Sequence, residues 1–276
     1  MRIRPFLALA LTPILLRGAC GDDDDDGEGA DGTAEEAAST TEPDRLEILL
    51  TNDDGVGGEG IDLLAQELQS LPNAEVTVVA PAENQSGSGD NSTEGDVQFD
   101  DSQLISGIPA TAVEGTPADS VNIALQELAL EPDLVVSGVN EGQNIGTLID
   151  LSGTVGAAAT AARQGVPAVA VSQGLADPLD YATGVDAAIA WITDHLDEYQ
   201  SGEADPLVNL NIPTCTAGEV REAVEVPPAE QPTGTELDPV DCTVTAEAPA
   251  DDVEAFTSGF VAISLLEPET LEPLVP

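Results

Sequence analysis

Asp53 and Asp54 stand side by side in Leu49-Leu50-Thr51-Asn52-Asp53-Asp54-Gly55, where a short apolar run gives way to a glycine-containing loop. Adjacent carboxylates repel when both are ionised, and a hard divalent cation is the usual relief. The pattern therefore predicts a bound metal with oxygen ligands. A hydroxyl such as Ser86 and an amide oxygen such as Asn140 can complete the shell that the two acids begin. Zinc fits less well, because no Cys or His accompanies the carboxylates and His195 falls in a distant helical pattern. Further along, Leu151-Ser152-Gly153-Thr154-Val155-Gly156 opens a helix. Its hydroxyls and the unpaired amides of its first turn form an anion seat that needs no lysine. Taken alone, Ser152 is equally an N-cap, and Gly115-Thr116-Pro117 reads as a cap and helix entry.

These residues need elements to hold them. Leu46 to Leu50, Glu75 to Ala80, Leu134 to Val136, Ala168 to Val171 and Leu207 to Ile212 are short apolar, β-branched runs that predict buried strands. Between them lie helical patterns over Gly60 to Leu71, Ala118 to Leu130, Gly153 to Gln164 and Tyr181 to His195. Strands and helices alternating in this way predict an α/β fold, a three-layer Rossmann-like core with a mainly parallel sheet. The polar loops at 52–55, 84–88 and 137–146 all follow predicted strands, where such sheets place their ligands, so one common pocket is expected. The Gly- and Ser-rich stretch Asn84 to Gly95 is expected to be a loop of that pocket. From Val220 to Glu254 the pattern becomes short and proline-punctuated, which predicts a C-terminal β excursion before Phe260 to Leu265 returns to strand character.

The front of the chain is of another kind. Two arginines, the apolar run Phe6 to Leu16 and the small-residue exit Gly18-Ala19-Cys20 predict a signal peptide over residues 1–20 and hence export. Cys20 resembles the lipidation site of bacterial lipoproteins, although Arg17 replaces the usual aliphatic residue; the alternative is a plain cleaved signal. Any membrane attachment is expected only through that N-terminal lipid, with the body periplasmic or extracellular. Residues 21–45 are expected to be an acidic tether, since Gly21 to Asp44 holds 11 acids and no base. One catalytic domain over 46–276 follows.

That body is itself acidic: the whole chain carries 53 Asp and Glu against 6 arginines and no lysine, a net charge of -47. Self-repulsion on this scale is screened near 1 M salt, where the Debye length is about 3 Å, so the composition suggests a protein made for high salt. It also argues against nucleic acid as a partner, whose phosphates call for basic residues. In an oxidising compartment Cys215 and Cys242 can form one disulfide across their 27-residue separation, or remain two buried thiols.

Five blocks occur in the order and approximate spacing of the SurE-type survival proteins: Leu50 to Gly55, the Val79 to Gly87 loop, Gly115-Thr116-Pro117-Ala118-Asp119, Ser137-Gly138-Val139-Asn140 with Gly142 and Asn144, and Ser152 to Ala158. Asn209 to Pro213 and Gly259 to Leu265 extend the likeness. The resemblance implies metal-dependent hydrolysis of 5′- or 3′-nucleoside monophosphates by a 5′-nucleotidase-like phosphomonoesterase, with Mg²⁺ or Mn²⁺. It implies that Asp53, Asp54, Ser86 and Asn140 bind the metal and that Asn52, Asn144, Ser152, Gly153 and Thr154 line the phosphate pocket. Asp53, Asp54 and Thr154 would be catalytic. It further implies a homodimer or higher homo-oligomer, in a family whose C-terminal extension is commonly exchanged between subunits. Gln85 departs from the family, which commonly has a basic residue there, and Thr160 stands where an acid is usual. The alternative function is a secreted nucleotide- or phosphate-binding protein of the same fold without turnover; a structural envelope protein would explain the tether but not the polar loops.

Overall fold

The computed structural model describes residues 45–244 and 248–274. The predicted signal, Cys20 and the tether up to Asp44 lie outside the described residues. In chain order the elements are β1 (Leu46–Thr51), α1 (Glu59–Leu68), β2 (Ala74–Pro81), β3 (Phe99–Gln103), β4 (Pro109–Val113), α2 (Pro117–Asn122) running into a π-helical turn (Ile123–Glu127), and β5 (Leu134–Glu141). A 3₁₀ turn (Gly146–Leu151) then leads into α3 (Gly153–Arg163), β6 (Ala168–Gln173), α4 (Tyr181–Asp194), α5 (Leu196–Ser201) and β7 (Leu207–Ile212). The last section holds β8 (Cys215–Ala217), β9 (Arg221–Glu225), β10 (Val240–Asp241), α6 (Asp252–Thr257) and β11 (Phe260–Leu265).

β1 is apolar on both faces because it is covered on both. Leu46, Ile48 and Leu50 pack with Ile61, Leu64 and Leu68 of α1 and with Val185, Ala188 and Ile192 of α4. Leu49 points the other way, into a cluster with Val121 of α2 and with Val155, Ala158 and Ala161 of α3. Strand side chains alternate between faces, so one apolar run feeds two helix layers, and each Leu so buried contributes roughly 2 kcal/mol. The three-layer arrangement expected from the sequence is thus present.

The sheet runs in the order β3-β4-β2-β1-β5-β6-β7-β11-β9. From β4 to β7 every neighbouring pair is parallel. The chain first winds outward from β1 through β2 to β4, then returns to β5 and winds the other way through β6 to β7. Its direction of winding reverses between β1 and β5. At such a point the loops at the carboxyl ends diverge and leave a crevice.

The C-terminal section departs from expectation in one respect. The β excursion expected over Val220 to Glu254 is present, but its first strand belongs to the core: β9 pairs parallel with β11, which itself pairs antiparallel with β7, so β9 extends the main sheet at its edge. The pairing is long-range, and nothing in the local pattern announces it. A separate ladder joins β10, which follows β9, back to β8, which precedes it, closed by a Cys215–Cys242 disulfide with Cα atoms 5.5 Å apart. Phe256, Phe260, Val240 and Val253 form a third apolar cluster beneath it with Ile145.

Candidate active site

Asp53 and Asp54 follow β1 at the winding reversal. Gly55 makes the sharp exit possible: its φ is +87°, and a Cβ there would stand 2.9 Å from the Glu83 carbonyl carbon. The side chain of Asn52 closes the same turn, with Nδ2 donating to the Gly55 carbonyl at 3.0 Å and Oδ1 accepting from its amide at 3.1 Å. Asn52 therefore shapes the acidic loop with its side-chain amide.

Asp53 is 3% exposed and meets the start of α3. Its Oδ1 accepts from the Thr154 hydroxyl at 2.7 Å. Burial pushes its pKa up, while the Thr154 hydroxyl and the nearby amides, those of Thr154 and Gly153 among them, pull the other way. Gly153 permits this approach, since a Cβ would stand 2.8 Å from Cβ of Asp53 and 2.7 Å from Oγ of Ser88. Ser152 caps the helix, its Oγ accepting from the Val155 amide at 3.1 Å. Part of the expected anion seat is therefore already turned toward a carboxylate of the chain itself.

Asp54 is half-buried and held from two sides, by Nδ2 of Asn84 at 2.9 Å and by the Glu141 amide at 3.2 Å. Its pKa is pushed up to about 6, first by burial, then by the charges of Asp53 and Glu141. Among the described residues no ion pair involves either acid. The Glu141 contact also brings in Asn140, one residue earlier on β5, which is buried and donates from Nδ2 to the Gly142 carbonyl at 2.5 Å.

Ser86 lies in the turn that follows β2, exposed, with its amide donating to Oδ1 of Asn84 at 3.0 Å. That turn is tied to the acids, because the Gln85 amide donates to the Asp53 carbonyl at 2.7 Å. Asn144 is drawn away into a polar layer: Nδ2 donates to Oγ of Ser172 at 2.8 Å, and its backbone is held by the side chains of Asn209 and Asn211. The fold thus brings together Asp53, Asp54, Asn140, Gly153 and Thr154, with Ser86 on the adjoining turn. Sequence reasoning passed over Asn84 and the Glu141 amide as the groups that fix Asp54. The only local signal for them was their place in polar loops after strands. The Thr116 cap was read correctly, and the structure adds its reciprocal partner, Asp119, which accepts from the Thr116 amide at 2.9 Å.

Among the described residues no group of three or more His, Cys, Asp or Glu is placed to hold a metal. The donors here are two carboxylates supplemented by amide and hydroxyl oxygens, the set a hard cation prefers. Two observations fit such an ion. Both acids are raised by burial, and Asp54 also by the charge of Asp53, without a cationic partner among the described residues; the buried hydroxyl of Ser88, close to Asp53, has no hydrogen-bond partner among the described residues.

An open, mostly parallel sheet with paired acids and a helix amino terminus at its winding reversal defines a Rossmann-like α/β protein, a class whose ligand sites lie at the carboxyl edge. The family model described as Survival protein SurE matches residues 48–231, and the chain belongs to that family. It is 43% identical over 195 residues to a 5′-nucleotidase SurE of Halobacterium salinarum, covering 67% of this chain and 72% of that one. With 5′-nucleotidase SurE 1 of Burkholderia lata it shares 35% identity over 250 residues, 80% of this chain and 90% of the relative. The crystal structure of a Sure protein from Aquifex aeolicus superposes with a TM-score of 0.65 at 26% identity, over 81% of this chain and 94% of the other.

Proposed function

We propose that the protein is a phosphomonoester hydrolase that releases phosphate from nucleoside monophosphates. Its relatives named 5′-nucleotidase support the reaction class. The observation that carries the reading is the Asp53–Asp54 pair, one acid buried and the other half-buried, beside Thr154 at the amino terminus of α3. In the reaction, a water oxygen forms a new bond to phosphorus, the bond from phosphorus to the nucleoside oxygen breaks, and that oxygen takes up a proton.

Asp53, Asp54, Ser86 and Asn140 would hold one Mg²⁺ or Mn²⁺, which supplies charge neutralisation and lowers the pKa of bound water. The chain's own groups do the rest. Thr154 keeps Asp53 oriented, Asn84 and the Glu141 amide fix Asp54, and the first turn of α3 faces the transferring oxygens as charge develops. Export, a lipid on Cys20, adaptation to high salt and a homo-oligomeric state belong to the same proposal, on the strength of the sequence features that suggest them.

The test is phosphate release from a panel of nucleoside monophosphates in about 2 to 3 M salt, where charge repulsion is screened, with and without Mg²⁺ or Mn²⁺. Metal-dependent release supports the reading. Binding of nucleotide without release would favour the non-catalytic alternative.

A further inference from the structure

The winding reversal has two flanks, and they differ in what a substrate would find. Toward β6 and β7 the polar side chains are buried and mostly engaged, with Oε1 of Gln173 and Oδ1 of Asn209 left without a partner among the described residues. Gln143 donates to the Glu236 carbonyl and accepts from the Leu175 amide, Asn144 is held by Ser172, Asn209 and Asn211, and Gln173 donates to Thr214. The C-terminal section closes that side. Toward β2 and β4 a cavity of about 210 Å³ opens, lined by Glu83, Gln85, Thr93, Val113, Glu114 and Thr116 among others. Glu83 and Glu114 are exposed, and no hydrogen bond or ion pair involves their carboxylates or the side-chain amide of Gln85 among the described residues.

The register sets the distance. Leu50 is level with Val78, the Asp53 carbonyl just beyond that strand end accepts from the Gln85 backbone amide just beyond β2, and Pro81 is level with Val113. The cavity therefore lies at the same carboxyl edge as Asp53, two strands away, about 10 Å at the usual strand spacing. A nucleoside monophosphate spans a distance of that order from its phosphorus to the edge of its base. Gln85 bridges the two places, with its backbone amide on the Asp53 carbonyl while the residue itself lines the cavity.

We infer that this cavity receives the nucleobase of the substrate, and that Glu83 and Glu114 select bases presenting an exocyclic amino group. The inference rests on the hydrolase reading above and adds a direction and a preference to it. A carboxylate accepts from an amino donor but repels a carbonyl oxygen in the same place. Adenine against hypoxanthine, and cytosine against uracil, are the comparisons that exchange one for the other. Sites that hydrogen-bond a substrate group discriminate strongly against analogues that cannot supply it.

The experiment compares kcat/KM for AMP with IMP and for CMP with UMP in high salt, with ribose 5-phosphate as the substrate that has no base. Both ratios are measured in the wild type, in Glu114→Gln and in Glu83→Gln, positions exposed enough that folding is not at stake. Each ratio is read within one variant, so a general change in turnover cancels. We expect wild-type ratios of at least about 5-fold in favour of the amino bases, on the low side of what one pocket contact supplies, and a fall toward unity in the variants. Ratios near one in the wild type, or ratios the variants leave untouched, would overturn the assignment. Hydrolysis of ribose 5-phosphate separates this failure from failure of the hydrolase reading, because it needs the phosphate site alone.

Discussion

Two of the places where this molecule buries acids, the C-terminal section and the winding reversal, treat them oppositely. In the C-terminal section Asp252 accepts from the Gly146 amide at 2.8 Å and the Ala229 amide at 2.9 Å, one through each oxygen. Burial raises its pKa and those two amides lower it. It fastens the segment around Ala229 to the 3₁₀ turn that precedes α3, and its charge is met by peptide donors. At the winding reversal Asp53 and Asp54 are neighbours, burial raises both and the charge of Asp53 further raises Asp54, and among the described residues no basic side chain pairs with them. A carboxylate satisfied by fixed amides serves structure. A pair left in repulsion is poised for a cation, and the contrast separates fastener from site.

The largest effect that would break the contrast lies in turnover. Asp53→Asn and Asp54→Asn should each lower metal-dependent phosphate release on the order of 10³-fold or more, the scale of removing a group that acts on developing charge, with little loss of stability. Asp252→Ala should do the reverse. It strands two buried amides and should cost about 3 kcal/mol in denaturant unfolding while kcat of the folded fraction stays near wild type. If Asp252→Ala abolished turnover in fully folded protein, the division of roles would be wrong.

Next in size is the disulfide. Cys215→Ser with Cys242→Ser should cost about 2 to 4 kcal/mol if the loop it closes unfolds with the rest; a change within error would show that the 27-residue segment unfolds separately.

A pH comparison sharpens the contrast without a large effect. The Asp54 pKa is raised from 3.8 to about 6 in the fold. Its favourable contribution is therefore present below about 3.8 and lost as pH rises through about 6. Metal-free protein should lose stability from this source across that window. Added Mn²⁺ should raise Tm more at pH 7.5 than at pH 5, because the ligands must be deprotonated to bind. Equal gains at both pH values, or the same difference in Asp54→Asn, would remove Asp54 from the metal site. Smallest of all is Arg163→Ala, which breaks the partly exposed 2.9 Å pair with Asp90; thermal unfolding should register about 1 kcal/mol or less.

The strands that are covered on both faces were the most legible. Leu207–Ile212 and Phe260–Leu265 were read with their exact bounds, since a short apolar run between turns admits few alternatives. β5 was read only to Val136 but continues to Glu141, because Ser137-Gly138 resembles a loop until its neighbours β1 and β6 are present to pair with it. The helical pattern Ala118 to Leu130 is real but divides at Asn122 into a short α-helix and a π-helical turn. The hairpin of β3 and β4 is not legible in the sequence. Phe99-Asp100-Asp101-Ser102-Gln103 lies at the sheet edge and is largely exposed, so it carries no apolar alternation to betray it. Among site residues, Asp53, Asp54 and Thr154 announced themselves by type and position, whereas the commitments of Asn52 to Gly55 and of Asn144 to Ser172 depend on contacts that no spacing encodes.

From the residues alone came the alternation of strands and helices, the placing of polar loops at strand ends and the pairing of two acids, because burial periodicity and charge repulsion act over a few neighbouring positions. Only the folded chain decided which flank of the crevice is closed, which donors hold Asp54, and that β9 joins the main sheet. Those outcomes turn on groups tens of residues apart meeting in space, where hydrogen-bond geometry and exclusion of water are set by the whole packing and not by any local pattern.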